Sequence, residues 1–116
     1  GDIALDDTSL RPGPCPSTRF CDFEADLCDW VQDSSDQFDW VRHNGTISQG
    51  TGPQYDHTTG STRGYYMYVM ASPPSLPGDL SRLISATYTG GSPQCLQFWY
   101  HMWGEDTGTL NVYLRD

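Results

Sequence analysis

A chain of 116 residues with a net charge of −9, six arginines and no lysine lacks the clustered cations that nucleic-acid backbones and anionic membrane surfaces require, so neither is an expected partner. The length allows one domain with a single core, near the size at which covalent staples help. Four cysteines in so short a chain point to disulfides and an oxidising compartment.

Zinc is the rival use of four cysteines, but positions 15, 21, 28 and 95 contain no CxxC pair and the chain has no HxxxH, the close ligand spacing of common structural zinc sites. No apolar run reaches membrane-spanning length, so this chain is not expected to insert directly into a membrane, and any signal or anchor is expected outside it. Four Trp, seven Tyr and four Phe supply the large side chains from which a core of modest aliphatic content is built.

Residues 1–10 form a short apolar strand candidate running into the acids Asp6 and Asp7. Arg11 to Pro16 contains three prolines, which forbid a helix and fit a linker. After the acidic loop between Cys21 and Trp30, apolar Phe38 and Trp40 alternate with polar Asp39, which predicts a half-buried strand over Asp39 to Arg42. From His43 to Arg63 the chain is rich in Gly, Thr, Ser and Gln and reads as a long loop carrying Asp56 and His57. Gly64 to Met70 is dense in aromatic and branched residues and is expected to be an interior strand. Leu80 to Tyr88 is a further strand candidate.

The clearest pattern lies at the end of the chain. Leu96, Phe98, Tyr100 and Met102 alternate with Gln97, Trp99, His101 and Trp103, a turn follows at Gly104 to Gly108, and Leu110, Val112 and Leu114 alternate again, which together predict an antiparallel hairpin. Trp99 and Trp103, opposite Phe98, require either that both faces of this strand are covered or that an aromatic patch is exposed. No segment keeps a helical apolar period, so the expected fold class is all-β, a two-sheet antiparallel sandwich.

The three histidines are not set in an HExxH, and no GxSxG elbow or phosphate-binding loop occurs, so no catalytic residue is expected. Calcium is the stronger candidate ligand. It takes six to eight hard oxygens, which Glu24, Asp26, Asp56, Asp6 and Asp7 can offer from loops; the competing reading is that these acids cap turns. Asn44-Gly45-Thr46 is an N-glycosylation acceptor. Trp99, Trp103 and Tyr113 are candidate contact residues, weighed against burial in the second layer of the sandwich.

Several blocks resemble MAM domains, in the order found there: Cys21-Asp22-Phe23-Glu24, Leu27-Cys28-Asp29-Trp30, Phe38-Asp39-Trp40, Thr51-Gly52-Pro53 with Asp56-His57-Thr58, Gly64-Tyr65-Tyr66-Met67-Tyr68, and Cys95 through Gly104. The resemblance covers Cys21 to the C-terminus. It implies an extracellular, jelly-roll-like β-sandwich that serves adhesion and assembly without catalysis. It also implies protein partners at the cell surface, homophilic pairing included. The family's closing segment of the type Ile-Ala-Leu-Asp-Asp stands instead at Gly1 to Asp7, followed by Gly13-Pro14-Cys15. Residues 1–15 are therefore expected to be the closing strand and linker of a preceding repeat, or a permuted closing strand of this one, with residues 16–116 forming a MAM domain that lacks its last strands.

The family pattern pairs Cys21 with Cys28, and the permuted arrangement pairs Cys15 with Cys95. In the chain-entropy model the short loop contributes roughly 2–3 kcal/mol and the long one slightly more than about 4. The same resemblance strengthens Glu24, Asp56 and the Asp6-Asp7 pair as calcium ligands. A carbohydrate-binding jelly roll, or an accessory domain of an ectoenzyme, is the alternative function, because fold does not determine function.

Overall fold

The computed structural model describes residues 2–13, 21–46, 52–70, 76–88, 90–91, 93–105 and 107–115. Among them there is no helix, and six strands form two antiparallel sheets. The strands are β1 (Asp2–Pro12), β2 (Val31–Gln32), β3 (Val41–Asn44), β4 (Tyr65–Met70), β5 (Leu83–Ile84) and β6 (Gln94–Trp103). The larger sheet has the order β3-β4-β1-β6 and the smaller pairs β2 with β5.

The N-terminal segment is an inner strand of the larger sheet. Ile3 stands opposite Val69 of β4 and Met102 of β6, which puts three apolar side chains in one row on the core side. Phe23, Cys21 and Trp40 from the loops close over that row, with Met67 beside it. Leu27, Trp30 and Phe38 from the loops, with Leu83 of β5, pack on this cluster, and Leu83 brings the small sheet against this face of the large one. Side chains with period two on β1, β4 and β6 thus make the sandwich core. The interior strand expected at Gly64 to Met70 is β4, paired on both sides.

Strand limits differ from the sequence expectation where side chains replace ladder partners. β1 continues past Asp6 and Asp7 and takes in Arg11 and Pro12, opposite Cys95 and Gln94, rather than ending at a linker. It does so through a register shift between Asp6 and Ser9, where Asp7 has a positive φ of 49° and the strand bends as at a bulge. Pro12 is tolerated because the ladder with β4 ends at Leu5, so at Pro12 the strand is paired on one side only, an edge position that proline can occupy.

The strand expected over Asp39 to Arg42 begins only at Val41. The Gln32 side-chain amide donates to the Trp40 carbonyl at 2.7 Å and accepts from its N–H at 3.0 Å, satisfying the groups a neighbouring strand would have used. His43 and Asn44, expected in the loop, are the end of β3. Between Leu80 and Tyr88 only Leu83 and Ile84 remain strand: the Leu80 and Arg82 amides donate to the side chains of Gln37 and Asp36.

The expected hairpin is corrected. Its first arm is β6, but β6 pairs with β1, and residues 107–115 form no strand. Leu110 packs against the core, whereas Val112, Tyr113 and Leu114 are 60%, 80% and 96% exposed. Alternation selects which side chains share a face; it does not supply the partner whose N–H and C=O groups complete a ladder.

Candidate functional site

The loop 52–64 ties the entry loop at Cys21 to Cys28 to the bend of β1. Asp56 is its hub and is buried at 1% exposure. Its carboxyl accepts from the Thr59 amide at 3.0 Å, the Thr59 hydroxyl, and the Ser61 amide at 3.3 Å, so the loop folds around an acid that caps its own turn. The Asp56 carboxyl also hydrogen-bonds that of Glu24, whose Oε1 accepts from the Tyr65 amide at 3.0 Å.

Two carboxyls in contact cannot both be ionised without a proton or a cation between them. Burial raises the Glu24 pKa; the Tyr65 amide opposes this, and the Asp56 hydrogen bond and charge, with the charge of Asp22, add to it. At Asp56 burial also acts upward, but the hydroxyl and amide of Thr59, Glu24 and the Ser61 amide outweigh it and the pKa is lowered.

Arg42 holds the entry loop against β4. Its Nε donates to the Phe23 carbonyl at 2.6 Å and its Nη2 to the Glu24 carbonyl, while Cζ lies 3.7 Å from the centre of the Tyr65 ring. Phe23 is fully buried and has a positive φ of 60°, a conformation that costs a bulky residue energy. Arg42 fixes the carbonyl on that unusual turn.

Asp6 and Asp7 form a second acidic group at the bend of β1. Asp6 accepts from the amides of Asp7 at 2.8 Å, His57 at 2.9 Å and Thr58 at 3.2 Å. Asp7 contacts Nδ1 of His57 at 2.5 Å and the Thr58 hydroxyl at 2.7 Å. Burial, with the Asp7 charge second, pushes the Asp6 pKa up to about 7 against the pull of the three amides. The His57 ring stacks on Trp99, with centroids 3.9 Å apart and planes 18° from parallel.

Asp56-His57-Thr58 is therefore divided, Asp56 reaching Glu24 and the next two residues reaching Asp6 and Asp7. Asp26 belongs to neither group: it is exposed, and its carboxyl accepts from the Cys28 amide at 2.7 Å. Among the described residues, no three His, Cys, Asp or Glu side chains converge as a metal-holding group. The five candidate acids thus lie in three places.

Cys21 and Cys28 are bonded, with their Cα atoms 6.2 Å apart. Cys21 also exchanges both backbone hydrogen bonds with Thr8 of β1 at 2.8 Å. Cys95 is buried and disulfide-bonded; Cys15, its expected partner, lies outside the described residues.

The aromatic candidates are on the surface. Trp99 and Trp103 are 57% and 64% exposed, so of the two possibilities raised by their alternation it is the exposed patch that exists. They line a concavity of about 660 Å³ with Tyr55, His57, Tyr66 and His101. Tyr113 is exposed but is not among the residues lining it.

Sequence reasoning missed Arg42, Gly64 and the bridging role of His57. The available signals were slight: a lone arginine after Trp40, and a glycine immediately before an aromatic strand.

The MAM domain model (meprin/A5/mu) matches residues 21–116. Human MAM domain-containing protein 2 is 42% identical, over 99% of this chain and 18% of its own length. Chicken MAM domain-containing glycosylphosphatidylinositol anchor protein 1 is 40% identical, over 88% of this chain and 11% of its own length. Mouse MAM domain-containing glycosylphosphatidylinositol anchor protein 2 is 38% identical, over 94% and 13% respectively. The chain thus spans less than a fifth of the curated relatives it matches. No solved structure gives a significant match. With the entry loop, the aromatic strand β4 and the β6 block inside the matched region, the chain belongs to the MAM domain family.

Proposed function

We propose that this chain is an extracellular, non-catalytic adhesion module of a multidomain cell-surface protein, working through protein–protein contact. The observation that carries the reading is the exposure of Trp99 and Trp103 on one side of the edge strand β6. Exposed aromatics grouped on a rigid strand are the usual anchors of a protein interface. The family membership and the glycosylphosphatidylinositol anchor in the names of two relatives support an extracellular setting.

Beads coated with the chain should adhere to cells displaying its partner, and to one another if the contact is homophilic. Trp103→Ala should abolish adhesion without changing the melting temperature by more than a surface substitution does, and Trp99→Ala should abolish it with only the modest loss of stability that unstacking His57 brings. Adhesion that survives both changes removes the proposed contact. Adhesion lost when the target cells are stripped of glycans replaces it with the carbohydrate-binding alternative.

We also propose that calcium binds at Glu24 and Asp56. The support is chemical: the Glu24 and Asp56 carboxyls lie against each other, and a hard divalent cation neutralises such a pair. Glu24 and Asp56 would hold the ion, and its contribution would be to tie the entry loop to the loop 52–64. Asp6, Asp7 and Asp26 have other partners and are left out of this site.

A further inference from the structure

We infer that Asn44 carries an N-linked glycan that shields the β3 edge of the large sheet and leaves the opposite edge for contact. This rests on the extracellular reading above, because the oligosaccharide is added only on the secretory route. Asn44 is the last residue of β3, and Gly45, at a φ of +74°, turns the chain immediately after it. The buried Tyr66 hydroxyl donates to the Gly45 carbonyl and fixes that turn, while Asn44 and Thr46 both remain exposed. The amide that must react and the hydroxyl that completes the acceptor motif are therefore accessible on an ordered turn. In the reaction the Asn44 side-chain nitrogen forms a bond to the anomeric carbon of a lipid diphosphate-linked oligosaccharide. The bond from that carbon to the diphosphate oxygen breaks, the lipid diphosphate leaves with the electron pair, and the amide gives up one proton.

The position within the sheet gives this glycan a purpose. β3 and β6 are the two outer strands of the order β3-β4-β1-β6, roughly 14 Å apart at three interstrand steps. The register places Trp99 and His101 on the same face as Asp6, Ala4, Tyr68 and Val41; Arg42 and Asn44 alternate onto the other face. Asn44 thus lies at the opposite edge and on the opposite face from Trp99 and Trp103. A glycan there clears the aromatic surface while covering the end of β3, a short strand paired on one side only in the sheet. Sheet edges of this kind pair with other chains unless they are blocked.

The test uses the chain secreted from cultured animal cells. Peptide mapping should find a glycan on Asn44 that peptide-N-glycosidase removes. Asn44→Gln and Thr46→Ala should abolish it and Thr46→Ser should keep it. A secreted chain with the Cys21–Cys28 bond formed and Asn44 bare overturns the site and leaves the adhesion reading standing. In sedimentation, Asn44→Gln should form larger species than the glycosylated chain, and adding Val41→Lys should return it to monomer. Identical sedimentation of the glycosylated chain and Asn44→Gln overturns the shielding. Bead adhesion should survive Asn44→Gln, so a loss confined to Trp99→Ala and Trp103→Ala separates the two conclusions.

Discussion

A β-carbon placed on Gly64 would lie 2.0 Å from the carboxyl carbon of Asp56. The glycine is needed at the start of β4 because the buried acid occupies the space a side chain would take. Gly64→Ala should destabilise the fold by about 1–3 kcal/mol, the usual cost of overpacking, read as a lower midpoint in denaturant. In an Asp56→Ala background the same change should cost almost nothing, and an undiminished cost there would refute the steric account.

Asp6 makes stability fall as pH rises. Its folded pKa of about 7 lies above the ordinary 3.8, so the folded state binds more protons between those values. The contribution is full below pH 4 and is lost as pH climbs through 7. Asp6→Asn keeps an oxygen for the His57 and Thr58 amides and removes the titration. The melting temperature of that variant should be flatter than wild type between pH 4 and 7; parallel curves would exclude Asp6 as the source.

Calcium binding to the folded state alone should raise stability with concentration, by about 2.7 kcal/mol at a hundredfold excess over Kd. A chelator should reverse the gain. Glu24→Gln should remove the response, whereas Asp6→Asn should keep it because Asp6 sits in the other acidic group. A melting temperature indifferent to calcium would eliminate the site.

Arg42→Lys keeps the charge but loses the fork that reaches the Phe23 and Glu24 carbonyls together. The expected loss is about 1.5–3 kcal/mol, the range for hydrogen bonds involving a charged group, with faster amide exchange around Phe23. A substitution that leaves both unchanged would show that the positive φ at Phe23 is held by packing alone.

Trp99→Ala removes the ring against which His57 stacks. The direct loss should be about 0.5–1.5 kcal/mol, and exchange should quicken in the loop 52–64 while remaining slow in β4. Uniform quickening through β4 would mean that Trp99 supports the whole sheet rather than this loop.

The sequence by itself determined the fold class, the strand cores at β1, β4 and β6, and the family, because period-two alternation and ordered motif blocks are local properties that survive without coordinates. Gly64-Tyr65-Tyr66-Met67 announced an inner strand, and Cys21 to Trp30 announced the entry loop. Only the tertiary structure decided that residues 2–12 lie between β4 and β6, that β6 pairs with β1 instead of Leu110 to Leu114, and that the acids separate into Glu24–Asp56, Asp6–Asp7 and a solitary Asp26. Strand partners and carboxyl neighbours are set by residues distant in the chain, so alternation at Leu110 to Leu114 was identical with or without a ladder. The charge count likewise could not reveal that Asp56 is buried against Glu24 while Asp26 stands in water, since burial is a property of the packed sheets and not of the residue.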